Sequence, residues 1–250
     1  MQHGTLGTDD SPTSDPKAPS AVSTPRRRVS PLTVLGVILL VAGLACLGWV
    51  GWQYMGTNFV SDREADQKVS ALKESWAGAD PVASPPAEGE PTSVPTLEIG
   101  PAEMGNAKWL MRIPAFGKDW VRPVIAGVEE DDLKRGIGWY PTTAQPGEVG
   151  NFAVAGHRIT NGEPFRRLLE LRVGDTIVIE TREAILTYEL TSAPDQLTVQ
   201  DTETWVLDPV PGHDDVQPSE ALITLTTCED LFHSPDRSVA FGKLISTETK

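Results

Sequence analysis

Between Val29 and Ser61 the chain carries no charged residue. The centre of that stretch, Leu32 to Val50, is apolar except for Thr33 and is long enough to cross the hydrocarbon core of a bilayer. Its leucines, valines and isoleucine each favour insertion by roughly 0.3–0.6 kcal/mol at a central position. Trp49, Trp52 and Tyr54 sit at its far end, where an aromatic belt meets the interface. We therefore expect a transmembrane helix over 32–54. A cleaved signal peptide fits less well, because the run is too long for an h-region and Gly51 to Met55 offers no small-residue cleavage site.

Charge sets the orientation. Lys17 and Arg26-Arg27-Arg28 precede the span, and the first charge after it is Asp62. The positive-inside rule then places the N-terminus in the cytoplasm and the rest outside the cell membrane, single-pass. Residues 1–31 are rich in Ser, Thr, Pro, Asp and Gly and read as a disordered cytoplasmic tail. The chain has 35 Asp and Glu against 21 Lys and Arg, and only Asp9, Asp10 and Asp15 of the acids precede the span. So acidic an outer part argues against nucleic acid and anionic lipid surfaces as partners; the membrane is met through the chain's own helix.

Two cysteines are present, Cys46 and Cys228. The first falls inside the span and the second outside, so they cannot pair within one chain. A lone thiol in an oxidising compartment is either buried and inert or used.

Beyond the span, residues 55–96 read as a juxtamembrane segment and a linker. Asp62 to Ala79 favours helix, with a weak apolar stripe through Val69, Leu72 and Trp76. Asp80 to Thr96 carries five prolines and reads as an extended polyproline-type spacer. Residues 97–250 then form one domain. Strand-like runs occur at Lys108–Ile113, Trp120–Ile125, Phe152–Gly156, Asp175–Glu180, Ala184–Thr191, Leu222–Thr227 and Ser238–Ser246. Val128–Lys134 and Pro164–Leu169 read as short helical turns, the latter with Pro at its first position. Many short strands with Pro and Gly turns predict an all-β barrel or sandwich.

Chemistry concentrates at two strand tips. Leu222 to Thr227 ends on Cys228, with Arg237 nine residues later, and Phe152 to Gly156 ends on His157. A Cys and a His on rigid strand ends, with a guanidinium nearby, point to thiolate catalysis. Glu229 and Asp230 follow the cysteine and raise its pKa where they face it; Arg237 acts in the opposite sense. His233, five residues past the cysteine, is a rival base, and His213 after Pro211-Gly212 reads as an exposed turn. One Cys with scattered His falls short of a zinc site, and Glu129, Glu130, Asp131 and Asp132 match no calcium loop. No cofactor or metal is called for.

Thr224-Leu225-Thr226-Thr227-Cys228 with Arg237 resembles the TLxTC…R signature of sortases, and Phe152 to Arg158 resembles their histidine motif. The run Gly147 to Arg158, with Gly162-Glu163-Pro164-Phe165 and Gly174-Asp175, is similar to class E sortases of high-GC Gram-positive bacteria. Trp139-Tyr140-Pro141 stands where that class has His-Tyr-Pro. The resemblance implies an all-β fold: a closed barrel of about eight strands with short helices, preceded by one transmembrane helix. It implies a cysteine transpeptidase that cleaves an LAxTG- or LPxTG-like sorting signal between Thr and Gly through a thioester on Cys228. Cys228 is then the nucleophile, His157 the acid–base partner, and Arg237 a donor to the oxyanion. The backbone N–H of Glu229 is a second donor, and Thr226 and Thr227 lie against oxyanion or substrate. The implied partners are secreted proteins with a C-terminal sorting signal and an amine acceptor, from a peptidoglycan precursor or a pilin lysine. Two other outcomes are a pilin-polymerising enzyme and a catalytically weak β-barrel binding module.

Overall fold

The structure, a computed structural model, describes residues 30–52, 56–78, 105–213, 215–228 and 235–250, with Thr57 and Cys228 described by backbone alone. The tail, the proline-rich spacer, Glu229 and His233 lie outside the described residues.

Helix α1 (Pro31–Gly51) covers the apolar run. It holds no charge and none of its side chains is buried. A helix apolar all round with no protein over it suits hydrocarbon rather than water. Its length and composition are those of a membrane span.

The rest forms a second unit, Cys46–Lys250, dominated by one sheet. Its strands are β1 (Ala107–Arg112), β2 (Val121–Ala126), β3 (Ile137–Trp139), β4 (Gly150–Ala155), β5 (Thr176–Glu180), β6 (Ala184–Leu190), β7 (Thr198–Gln200), β8 (Ala221–Cys228) and β9 (Asp236–Thr249). They are ordered β6-β5-β1-β2-β3-β4-β8-β9-β7. A further pairing of β6 with β9, Ala184↔Thr249 through Leu190↔Gly242, closes eight of the strands into a barrel. The expected barrel of about eight strands is thus the observed fold. Strand β7 lies outside the ring on the edge of β9 that β6 does not reach. Closure removes the open edges that a flat sheet would leave unpaired.

The interior follows from alternation. In β5 and β6, Ile177, Ile179, Ala184, Leu186, Tyr188 and Leu190 point inward while their neighbours are half-exposed. Every residue of β4 is buried. Trp109 packs edge-on against both Trp139 and Phe152 across the barrel. Tyr188 is fully buried, and its hydroxyl accepts the Gly147 N–H at 2.7 Å; burial pushes its phenol far above the usual range.

The turn at Val128–Lys134 forms as expected: α3 (Glu130–Leu133) opens with a capping box between Glu129 and Asp132. Pro164–Leu169 does not open a helix at its proline. The chain is in turns there, and only Leu168–Glu170 winds, as 3-10 helix. The reason is Glu163, whose left-handed φ of 43° breaks the helical path before Pro164.

Helix α2 (Thr57–Ala77) begins five residues before the expected Asp62. Its buried face is Ser61, Ala65 and Val69, set at successive turns and packed on β1 and β2. Asp62 bonds Arg122 of β2 at 2.9 Å, and the Lys250 ammonium lies over the Trp76 ring at 4.4 Å. The helix is fastened to the barrel near both its ends.

Candidate active site

Strand register alone brings three sequence-distant positions together. Strand β4 runs parallel to β8, Gly150↔Ala221 through Ala155↔Thr226. The Gly156 N–H carries the pairing one step further, to the Thr226 carbonyl at 3.1 Å. His157 is the next residue, two beyond the end of β4. On the other side β9 runs antiparallel to β8, and the ladder ends on the pair Cys228↔Arg237. Neighbouring strands lie about 4.8 Å apart, so three backbones span roughly 10 Å. Cys228 and Arg237 therefore close the β8–β9 ladder as a pair, and His157 follows β4, the strand on the other side of β8, two residues past its end.

The core of this rim is unusual in being polar. Ile223 to Thr227 are all buried, three of them threonines. A buried hydroxyl needs a partner, and each finds one. Thr224 donates to Asn151 Oδ1 at 2.7 Å, Thr226 to the Val154 carbonyl at 3.2 Å, and Thr227 to the Gly156 carbonyl at 2.8 Å. Asn151 in turn donates to the carbonyls of Val206 and Asp208, both at 3.0 Å. This pins the 3-10 segment Thr204–Leu207 onto β4 and β8. Thr226 and Thr227, expected near the oxyanion or substrate, thus hold the strand under His157 to the strand under Cys228.

Gly156 admits no side chain, since a Cβ there would lie 2.6 Å from the Phe165 ring. Phe165 is fully buried, and its N–H donates to the His157 carbonyl at 3.0 Å. The His157 side chain is half-buried. The Glu130 carboxyl is held below its usual range first by the Lys134 hydrogen bond, with the His157 side chain the weakest contributor.

Arg237 is partly exposed, at 30% for its side chain, and its guanidinium lies 3.5 Å from Asp201 just past β7. It also donates to the Asp236 carbonyl at 3.2 Å. Gln200 and Asp236 pair alongside, fastening β7 to the start of β9. An always-charged guanidinium, half in water on a strand end, can turn toward a carbonyl that gathers negative charge. His213 lies in an exposed turn, its N–H on the Val210 carbonyl. Among the described residues no group of three or more His, Cys, Asp or Glu converges as a metal site. Two residues have a role that the sequence does not signal: Asn151, near the far end of β4 opposite Leu222 and marked only as a polar residue within an apolar strand, and Asp201, with no sequence signal beyond its charge.

The family model for the sortase domain matches residues 111–245. Sortase SrtE1 of Streptomyces coelicolor is 33% identical over 218 residues, covering 84% of this chain and 56% of its own length. Sortase SrtE2 of the same organism is 29% identical over 223 residues, covering 87% and 83%. Among solved structures, sortase E from Streptomyces avermitilis superposes with a TM-score of 0.53 at 37% identity, over 58% of this chain and 92% of that one. The chain thus spans little more than half the length of SrtE1.

Proposed function

The chain belongs to the sortase family, and from that premise we propose that it is a membrane-anchored cysteine transpeptidase acting on sorting signals of the LAxTG or LPxTG type. The observation that supports the reading is strand register: β8 pairs with β4 up to Ala155↔Thr226, two residues before His157 and before Cys228, and with β9 up to Cys228↔Arg237.

In this reading the Cys228 sulfur attacks the carbonyl of the signal's Thr–Gly bond. A C–S bond forms and the carbonyl oxygen becomes anionic, met by the Arg237 guanidinium and the Glu229 backbone N–H. The C–N bond then breaks, and the departing glycine amine takes a proton from the His157 imidazolium. The remaining thioester is open to an amine. His157 accepts the proton of the attacking amine, the new C–N bond forms, the C–S bond breaks, and the Cys228 thiolate is regenerated with the imidazolium. Asp201 keeps the guanidinium near the rim before substrate arrives. The Thr226 and Thr227 hydroxyls keep the two strand tips in step.

The clients are secreted proteins bearing a C-terminal sorting signal, and the acceptor is a cell-wall amine. Helix α1 is the anchor, with Arg26–Arg28 on the cytoplasmic side and the barrel outside.

The test is a peptide-library cleavage assay on the full chain in detergent micelles, with the acceptor amine varied and intact mass read at each step. A thioester should form on Cys228, persist in Cys46→Ala and vanish in Cys228→Ala. Transfer to a pilin lysine in place of a cell-wall amine would redirect the acceptor. Binding of signal peptide with no thioester would leave a binding module and overturn the enzymatic reading.

A further inference from the structure

The loop that leaves His157 is held by a residue from outside the barrel. Asn161, Gly162 and Glu163 take successive φ values of 55°, 77° and 43°, three left-handed residues in a row of which only the middle one is glycine. Such a run is costly for residues with side chains and persists only where neighbours hold it. The holder here is Asn58, in the first turn of α2. Its Oδ1 accepts the Gly162 N–H at 3.0 Å, and its Nδ2 donates to Glu163 Oε1 at 2.6 Å. One amide thus grips backbone and side chain of the strained run together. A Cβ on Gly162 would meet Ser61 and Asp62 at 3.3 Å, so the helix is already pressed against the loop tip. At its base the loop closes on the site itself, through the Phe165 N–H on the His157 carbonyl.

We propose that Asn58 is a positioning residue for the reaction: it locks the 161–163 turn against α2 and through that turn fixes where His157 stands beside the tip of β8. The helix after the membrane span is then a working part of the site and not only a tether. The proposal rests on the assignment of His157 as the acid–base group.

The experiment uses the full chain in detergent micelles, with transfer kinetics and amide exchange at residues 160–163 measured on the same samples. Asn58→Ala should speed exchange there and lower kcat about tenfold while KM stays within about twofold, because alignment is lost and the binding groups are not. Asn58→Asp keeps the acceptor for the Gly162 N–H but sets a carboxylate against Glu163, and should be at least as slow. Asn58→Asp with Glu163→Gln restores a donor and an acceptor with their roles exchanged, and should return kcat to within about threefold of wild type. That rescue decides the matter even where Asn58→Ala does not fold. Wild-type kcat in Asn58→Ala despite faster exchange, or no recovery in the double variant, overturns the proposal. His157→Ala separates the premise from the inference. If it transfers at the wild-type rate, the imidazole assignment itself fails; if it is inactive while Asn58→Ala is unimpaired, only the role of Asn58 falls.

Discussion

Strand β8 meets a different kind of neighbour along each edge. Toward β4 the pairing is parallel, fully buried, and reinforced by three threonine hydroxyls and Asn151. Toward β9 it is a plain antiparallel ladder, and the guanidinium at its end is half in water against a half-exposed carboxylate. Buried hydrogen bonds are expensive to leave unmade, whereas an exposed ion pair contributes little. The imidazole flank is therefore built to stay put. The guanidinium flank is held more lightly, which the proposed oxyanion role of Arg237 would use.

The largest effects should come from the rim itself. Cys228→Ala should bring transfer to background. His157→Ala, on the rigid flank, should lower kcat/KM about 10³-fold, within the range of general acid–base loss. Arg237→Ala, on the lightly held flank, should lower it about 10²- to 10³-fold, the usual cost of one oxyanion donor. All three should keep their thermal midpoint within a few degrees. Equal losses with collapsed midpoints would mean both flanks are structural. Next comes Asn151→Leu, which strands the Asp208 carbonyl and leaves the Thr224 hydroxyl and the Val206 carbonyl only their longer bond to each other, at 3.3 Å. It should cost about 2–3 kcal/mol in urea unfolding; an unchanged midpoint would show that the buried network is not what stiffens the β4 side. Thr227→Val keeps shape and removes one donor, for about 1 kcal/mol of stability and a few-fold fall in kcat. Asp201→Asn should be smallest: under about 1 kcal/mol, with transfer changed about twofold. A loss as great as that of Arg237→Ala would abolish the contrast, because it would mean the guanidinium needs a fixed seat.

Much of the barrel could be read from the chain, because β4, β5, β6 and β8 show either alternation or an unbroken apolar run. Strands β3 and β7 were not foreseen. Each is three residues long, too short for a period, and β7 exists only because β9 offers it a free edge. Closure through β6 and β9 joins residues some sixty apart in sequence and leaves no local trace. The stripe read in α2 began at Val69, whereas its buried face begins at Ser61; a serine and an alanine against a barrel do not look apolar enough to mark a packing face. In the site, His157 and Arg237 stood out because each follows or opens a strand. Thr226 and Thr227 stand out only through the resemblance, as neighbours of oxyanion or substrate; their bonds between strands leave no local signal, since each hydroxyl's partner lies about seventy residues away. Glu163 misled the reading of Pro164, because a left-handed glutamate is set by Asn58 and not by its neighbours in sequence.

Strand β9 has a consequence for how the protein comes into being. Its first half lies against β8 and presents Arg237; its second half zips onto β6 and shuts the ring. It follows the other eight strands in chain order. A growing chain already owns its thiol and its imidazole before the stave that completes the cask has been made, and at that stage it lacks both the guanidinium and the seam. The Cys228↔Arg237 pairing and the closing seam thus depend on one strand, and a chain without β9 has neither.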